Sequence, residues 1–253
     1  MRKITRFTQV CIVMAMLVLA PGVAAQDSGE GPCAEVNGIY DTTTMNCAIQ
    51  AGLTINMDYP WHFTEYYTLK AAVDQLYNGL AGDFAANYAE VIATAGPGAT
   101  FGPWSLYVSY EMFNTQELMQ DGVDLPLSYA FTISEYTGGA HPNSFTITLN
   151  HDLQTGINLA LDDLFIPGVD YLPTLSQLAQ QSLIAQQGEY ADADWIAQGA
   201  APDPLNFNRF VITLTDLVIF FDSYQVAPYA MGPQTVYIPL TQISTLLNPR
   251  FVN

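Results

Sequence analysis

The sequence has 253 residues, of which 50% are apolar and only 12% are charged, and its formal net charge is −18. This apolar content is enough to build a core, so the composition excludes an acidic, disordered chain. The excess of carboxylates excludes nucleic acid and anionic lipid as favourable partners and favours cationic ones.

Residues 1–25 have the pattern of a secretory signal peptide. Three basic residues among the first six precede an apolar run over residues 10–20, which ends in small residues. This run of 11 residues is shorter than the ~20 of a membrane-spanning helix, and we find no second candidate span. Cleavage after Ala25 would leave three basic residues against 24 acidic ones, a net charge of −21. We therefore expect a secreted, extracellular or cell-envelope protein.

Cys33 and Cys47 are the cysteines that remain after this cleavage. An even pair in an exported chain predicts a disulfide, which would close a loop of about 15 residues and stabilise the fold by ~3 kcal/mol. A zinc or redox pair is the alternative, but the spacing fits neither a CxxC motif nor a four-ligand site. We assign the pair a structural role.

A long helix follows a short strand at residues 53–57. Apolar side chains recur at three- and four-residue steps from Tyr66 to Val91, as in an amphipathic helix. Thr64 is a suitable N-cap, and the Gly-Pro-Gly at residues 96–98 would end the helix.

From residue 103 the apolar period changes to two, which predicts half-buried strands of an antiparallel sheet. A second helix is expected at residues 170–187 and a shorter helical piece at residues 189–200. The remaining predicted elements are three strands at 104–110, 127–134 and 144–149, an extended piece at 158–165, strands at 210–214, 217–221 and 236–238, and a helical turn at 241–247. This order predicts an α+β fold, in which antiparallel sheets pack against the long N-terminal helix and a second helical segment.

The first candidate site follows the second of these strands. Tyr136 precedes Gly138 and Gly139, which permit positive φ and expose backbone amides, and His141 follows directly before Pro142. Such a loop can present a histidine to a ligand or substrate. The alternative is a glycine-rich hairpin whose histidine bonds to a neighbouring strand.

The second candidate site is the acidic step at Asp162 and Asp163. In an extended backbone the two carboxylates would point to opposite sides, which argues against a shared ion. Asp163 suits the capping of a turn.

The third candidate site follows the apolar strand at residues 217–221, for which we expect burial on both faces. Asp222 begins an acidic turn, and a loop with Tyr224 and Tyr229 comes next. Tyrosines offer rigid, amphipathic surface for recognition. A loop that folds back on the sheet is the structural alternative.

We find no nucleophile motif, phosphate-binding loop or calcium loop, and we predict no catalytic residue, metal ligand or cofactor. The three histidines, at positions 62, 141 and 151, lack the spacing of a metal site.

Taken together, the three candidate sites resemble a known family. The runs at residues 136–142, 155–165 and 221–232 are similar to the RsiV-type extracytoplasmic domain, which binds lysozyme, and to the non-catalytic N-terminal region of PdaC-type peptidoglycan deacetylases. The resemblance implies an α+β fold of two adjoining parts: a PdaC-like region at residues 26–150, with the cysteine pair, and an RsiV-like region at residues 151–253. We expect these parts to form one compact unit.

The resemblance implies a binding role, because neither a deacetylase domain nor a sigma-binding segment is recognisable. Our leading hypothesis is a non-catalytic module that binds a cationic protein, such as a basic wall hydrolase, or a cell-wall glycan. An enzyme acting on wall polysaccharide is the alternative, with His141 as base and Asp222 or Asp163 as its partner. A calcium-stabilised surface protein ranks third. Catalysis, the ligand and the oligomeric state are left open by the sequence.

Overall fold

The computed structural model describes residues 52–61, 66–95, 102–114 and 125–251. It also gives the backbone of two short antiparallel strands, β1 (Gly38–Asp41) and β2 (Asn46–Ile49). The predicted signal peptide and Cys33 lie outside the described residues, as does the side chain of Cys47. The disulfide therefore stays a prediction.

A five-stranded sheet forms the N-terminal half of the described chain. Its strands, in spatial order, are β3 (Leu53–Met57), β4 (Trp104–Phe113), β5 (Leu127–Tyr136), β6 (Asn143–Asp152) and β7 (Ile157–Asn158). Three neighbouring pairs are antiparallel, as predicted, but β3 and β4 are parallel. Helix α1 (Tyr67–Thr94) makes the long crossover that a parallel pair requires.

Helix α1 packs against one face of this sheet. Its buried side chains, Leu69, Val73, Tyr77 and Phe84, share a core with the inward side chains of β4 and β5. The N-cap of the helix is Tyr66, with no side-chain cap bond, so the prediction of Thr64 at this position is wrong.

The C-terminal half contains a three-stranded antiparallel sheet with β9 at its centre. Its elements are α2 (Leu172–Gln187), α3 (Ala193–Gly199), β8 (Phe210–Ile212), β9 (Asp216–Phe221), β10 (Gln234–Pro239) and α4 (Leu240–Ile243). Of the predicted apolar strand, Leu217, Val218, Ile219 and Phe221 are buried, which confirms burial on both faces. The extended piece predicted at 158–165 is wrong, because Leu161–Leu164 form a 3-10 turn.

The two sheets meet where β8 crosses β6 on the face opposite α1. Asn150 donates from Nδ2 to the carbonyl of Phe210 over 2.8 Å, and the Phe210 amide donates to Thr148 Oγ1 over 3.1 Å. Asn114 donates from Nδ2 to the carbonyl of Ile212 over 2.6 Å. Polar side chains of the first sheet thus satisfy the backbone of β8, and the α+β architecture is confirmed.

Candidate functional site

Three of the predicted site residues form a cluster of rings at the surface. The imidazole of His141 stacks on the phenol of Tyr229, with ring centroids 4.0 Å apart and planes at 24°. The ring of Tyr224 lies 5.4 Å from that of Tyr229. His141 is exposed and Tyr224 is 54% exposed, so these rings face solvent. We call His141, Tyr224 and Tyr229 the ring cluster.

The carbonyl oxygen of Pro142 fixes two of these rings. It accepts from the hydroxyl of Tyr229 over 3.2 Å and lies 3.0 Å from Nδ1 of His141. Because a carbonyl can only accept, Nδ1 carries a proton, and Nε2 is the acceptor in the neutral imidazole. Two loops that are 87 residues apart in sequence are thereby joined.

Hydrogen bonds to neighbouring segments fix the backbone of the Tyr224 loop. Tyr224 has a φ of 70°, which is uncommon for a residue with a side chain. Its carbonyl accepts from Trp195 Nε1 over 3.0 Å, and the neighbouring Gln225 donates from Nε2 to the carbonyls of Gly199 and Asn206. Hydrogen bonds with two segments, α3 and the turn at Pro204–Asn206, therefore fix the strained turn.

Asp222 serves as an anchor behind the ring cluster. Its carboxylate accepts from the Thr146 amide over 2.9 Å and pairs with Arg209 over 2.9 Å, while Arg209 Nε donates to the Thr146 carbonyl. Burial raises the pKa of Asp222, although the Thr146 hydrogen bond and the Arg209 charge oppose this shift. The hydrogen bonds of Asp222 and Arg209 to the Thr146 backbone join the end of β9 to β6.

Among the described residues, no hydrogen bond or ring contact joins Asp163, Tyr136, Gly138 or Gly139 to the rings of the ring cluster. Asp163 accepts from the Ala160 amide over 2.8 Å and closes the 3-10 turn, which confirms a capping role. Tyr136 is half-buried at the end of β5. Gly138 has a φ of 92°, where glycine is favoured, so it shapes the hairpin, whereas Gly139 lies outside this region.

The pairing proposed for an enzyme is not formed. His141 contacts neither Asp222 nor Asp163, because Asp222 is engaged by Arg209 and Thr146 and Asp163 by its own turn. The histidine has ring and carbonyl neighbours instead of a carboxylate that would orient it.

Trp195 and Arg209 support the site and were not among the residues predicted from the sequence. Arg209 carried one signal, since it is one of three basic residues after position 25. All three are paired: Lys70 with Asp74, Arg209 with Asp222, and Arg250 with Asp152 over 2.7 Å. Every described Lys and Arg side chain is therefore already paired with a carboxylate, and the remaining charged groups on the described surface are acidic.

The described part of the chain contains no group of three or more His, Cys, Asp or Glu side chains placed to hold a metal. His151, which is buried, lies between Thr68 Oγ1 and Asn158 Oδ1, at 2.9 and 2.7 Å. It serves as a link between α1 and β7. Among the described helices, none is long and apolar enough to span a bilayer.

Two curated relatives resemble part of the chain. The peptidoglycan-N-acetylmuramic acid deacetylase PdaC of Bacillus subtilis is 32% identical over 127 residues, which is 50% of this chain and 27% of PdaC. An esterase of Mycobacterium tuberculosis is 29% identical over 109 residues, or 43% of this chain and 47% of the esterase. The chain thus spans less than half the length of either relative. The likeness to PdaC is confirmed, while the RsiV-type likeness stays a prediction.

The fold matches solved structures. A DUF3298 family protein from Pseudomonas aeruginosa superposes with a TM-score of 0.55 at 18% identity, over 82% of this chain and 88% of the other. At this identity the likeness concerns the fold alone. In sequence, residues 162–241, which include Asp222, Tyr224 and Tyr229 of the candidate site, match the family described as protein of unknown function (DUF3298).

Proposed function

We propose that the protein is a non-catalytic binding module of the cell envelope that uses the ring cluster to bind a basic protein, such as a lysozyme-like wall hydrolase. The observation that carries this proposal is the exposed stack of His141 and Tyr229, with Tyr224 beside it. It joins two loops that the sequence singled out separately.

The ring cluster has the properties of a preorganised contact surface. Tyrosine offers a large area with few rotatable bonds, so little side-chain entropy is lost on binding. The shared Pro142 carbonyl and the Trp195 hydrogen bond hold the loops before any partner arrives. A rigid aromatic centre of this kind is typical of the residues that dominate binding energy.

The charge of the chain supports a basic partner. Each described Lys or Arg already has a carboxylate partner, so the remaining acidic groups determine the surface potential. Cleavage at the predicted signal site would raise the excess to −21. Such a field attracts cationic proteins and speeds their association, and salt screens it.

The relative named as a peptidoglycan deacetylase supports the cell wall as the setting. Basic wall hydrolases act on the same polymer, so they would meet an exported module of this charge.

Binding to an immobilised basic lysozyme at low and high salt tests the proposal. We expect salt-sensitive binding that weakens at least ~10-fold in Tyr229→Ala, the loss typical of a central aromatic contact. Tyr237→Ala is the matched control, because Tyr237 is an exposed strand tyrosine on β10, outside the ring cluster. Absence of binding at low salt, or equal losses in both variants, would refute the proposal.

A hydrolytic enzyme is a second candidate, because both relatives named above are enzymes. The free acceptor position would be Nε2 of His141, which has no hydrogen-bond partner within the described residues. Acetate release from peptidoglycan tests this candidate. Release that His141→Ala abolishes would support it, whereas no release, or release unchanged by that variant, would exclude it.

A further inference from the structure

We propose that the open face of the five-stranded sheet is a second binding site and that its ligand is an uncharged oligosaccharide. This site lies on β3, β4 and β5 and shares no lining residue with the ring cluster, and the inference goes beyond the function proposed above.

The face is the side of the sheet opposite α1, in the part that β8 leaves uncovered. Side-chain alternation and strand register place Asn56, Tyr107 and Ser134 in one row across β3, β4 and β5. Ser109 and Thr132 form a second row beside it. These five side chains and Asp58 line a shallow cavity of about 170 Å³.

The lining has the chemistry of a sugar subsite. It offers one carboxylate, one carboxamide and three aliphatic hydroxyls, which together accept from and donate to sugar hydroxyls. The phenol of Tyr107 supplies a flat apolar surface for the C–H face of a sugar ring, and its hydroxyl adds a polar handle. Polar side chains that converge beside an aromatic ring suit a ligand that offers both hydroxyls and a flat C–H face.

Charge selects the class of ligand. No Lys, Arg or His lines the cavity, and Asp58 lies in it, so a phosphate or an acidic sugar would meet repulsion. The described Lys and Arg side chains form ion pairs with Asp74, Asp152 and Asp222. One carboxylate beside four uncharged polar side chains, those of Asn56, Ser109, Thr132 and Ser134, matches a ligand that is rich in hydroxyls rather than in amines.

The exposure of Tyr107 is the second observation. It lies within β4, which is paired on both sides, and yet it is 48% exposed, while the residues before and after it point into the core, with Leu106 at 0% and Val108 at 3%. The row through Tyr107 crosses three strands and spans ~10 Å. This length accommodates more than one sugar ring, so the ligand is an oligosaccharide.

Isothermal titration of the purified protein tests the inference with three tetrasaccharides of different charge. We use the neutral tetra-N-acetylchitotetraose, its cationic deacetylated form and the anionic tetragalacturonate. We expect the neutral sugar to bind best, with an affinity that changes little with salt. We expect Tyr107→Ala to weaken this binding at least ~10-fold, and Tyr107→Phe to retain most of it because the ring remains.

The control is Tyr237→Ala, which removes a strand tyrosine that is 59% exposed from the other sheet. A thermal melt of each variant shows that it folds. No binding of the neutral sugar, preference for either charged sugar, or equal losses in Tyr107→Ala and Tyr237→Ala would overturn the inference. Tyr229→Ala separates the two proposals, because it should weaken lysozyme binding and leave sugar binding intact.

Discussion

Gly199→Ala offers a test of how the ring cluster is supported, without a change to any of its rings. A methyl group on Gly199 would lie 1.8 Å from the carbonyl oxygen of Gln225 and 2.9 Å from a methyl of Val226. The first of these atoms belongs to the backbone that follows Tyr224, so the loop itself has to move.

The expected cost follows from this overlap. Overpacking a rigid site typically destabilises a protein by ~1–3 kcal/mol. For a chain of this size each kcal/mol lowers the melting temperature by ~2–4 °C. The shift also breaks the register of the Gln225 hydrogen bonds to Gly199 and Asn206, so the Tyr224 ring loses its fixed position. We therefore expect weaker lysozyme binding in addition to the lower melting temperature.

Gly79→Ala is the matched control. Gly79 lies in the middle of α1, and a methyl group there meets no atom within 4 Å. Alanine is a better helix former than glycine, so this variant should gain up to ~1 kcal/mol in unfolding free energy. Thermal melts compare the stability of the two variants, and lysozyme titrations compare their binding. If Gly199→Ala were as stable as Gly79→Ala and bound lysozyme normally, the account of the loop support would be refuted.

Three further predictions concern stability. Arg250→Ala leaves the buried carboxylate of Asp152 without its cation and should cost ~3 kcal/mol at neutral pH, because hydrogen bonds from Gln154 and Thr155 remain. Arg250 lowers the folded-state pKa of Asp152, so the stability lost in Arg250→Ala should shrink as the pH falls below ~4. Urea unfolding at several pH values measures this loss, and a loss that stays constant with pH would contradict the prediction. Gly138→Ala should destabilise by ~1 kcal/mol because of its positive φ, whereas Gly139→Ala should be nearly neutral in the same melts. The melting temperature should rise between ~20 and ~200 mM NaCl as salt screens carboxylate repulsion, and a flat or falling curve would count against the charge argument.

Hydrophobic periodicity predicted most of the secondary structure. The change from helical to alternating spacing at residue 103 separates α1 from β4, and the unbroken apolar run of β9 predicted its burial on both faces. These features are local, so they depend only on which side chains must be buried.

Features that depend on distant parts of the chain were not predictable in the same way. The parallel pairing of β3 with β4 depends on where α1 packs, and the turn at Leu161–Leu164 replaced an extended piece because Asp163 caps it. Alternation along β4 does place Ser105, Tyr107 and Ser109 on one face, but the row across three strands depends on their register.

In the candidate site, too, local features were predictable from the sequence and contacts between distant residues were not. The sequence identified His141, Tyr224 and Tyr229 as separate loop residues, but not that His141 stacks on Tyr229. That contact depends on the packing of the two sheets, where the Asp222 carboxylate accepts from the Thr146 amide and holds the end of β9 against β6. The sequence singled out Asp222, and Arg209 is one of three basic residues after position 25, but neither feature predicts that the two residues pair.

The most direct test of the central claim is a map of amide chemical-shift changes when a basic lysozyme is added at low salt. We expect changes concentrated in the hairpin loop at residues 137–142 and the loop at residues 222–231, which carry the ring cluster. We also expect high salt to suppress them. Changes centred on another surface, or no changes at low salt, would contradict the claim that this cluster is a protein-binding site.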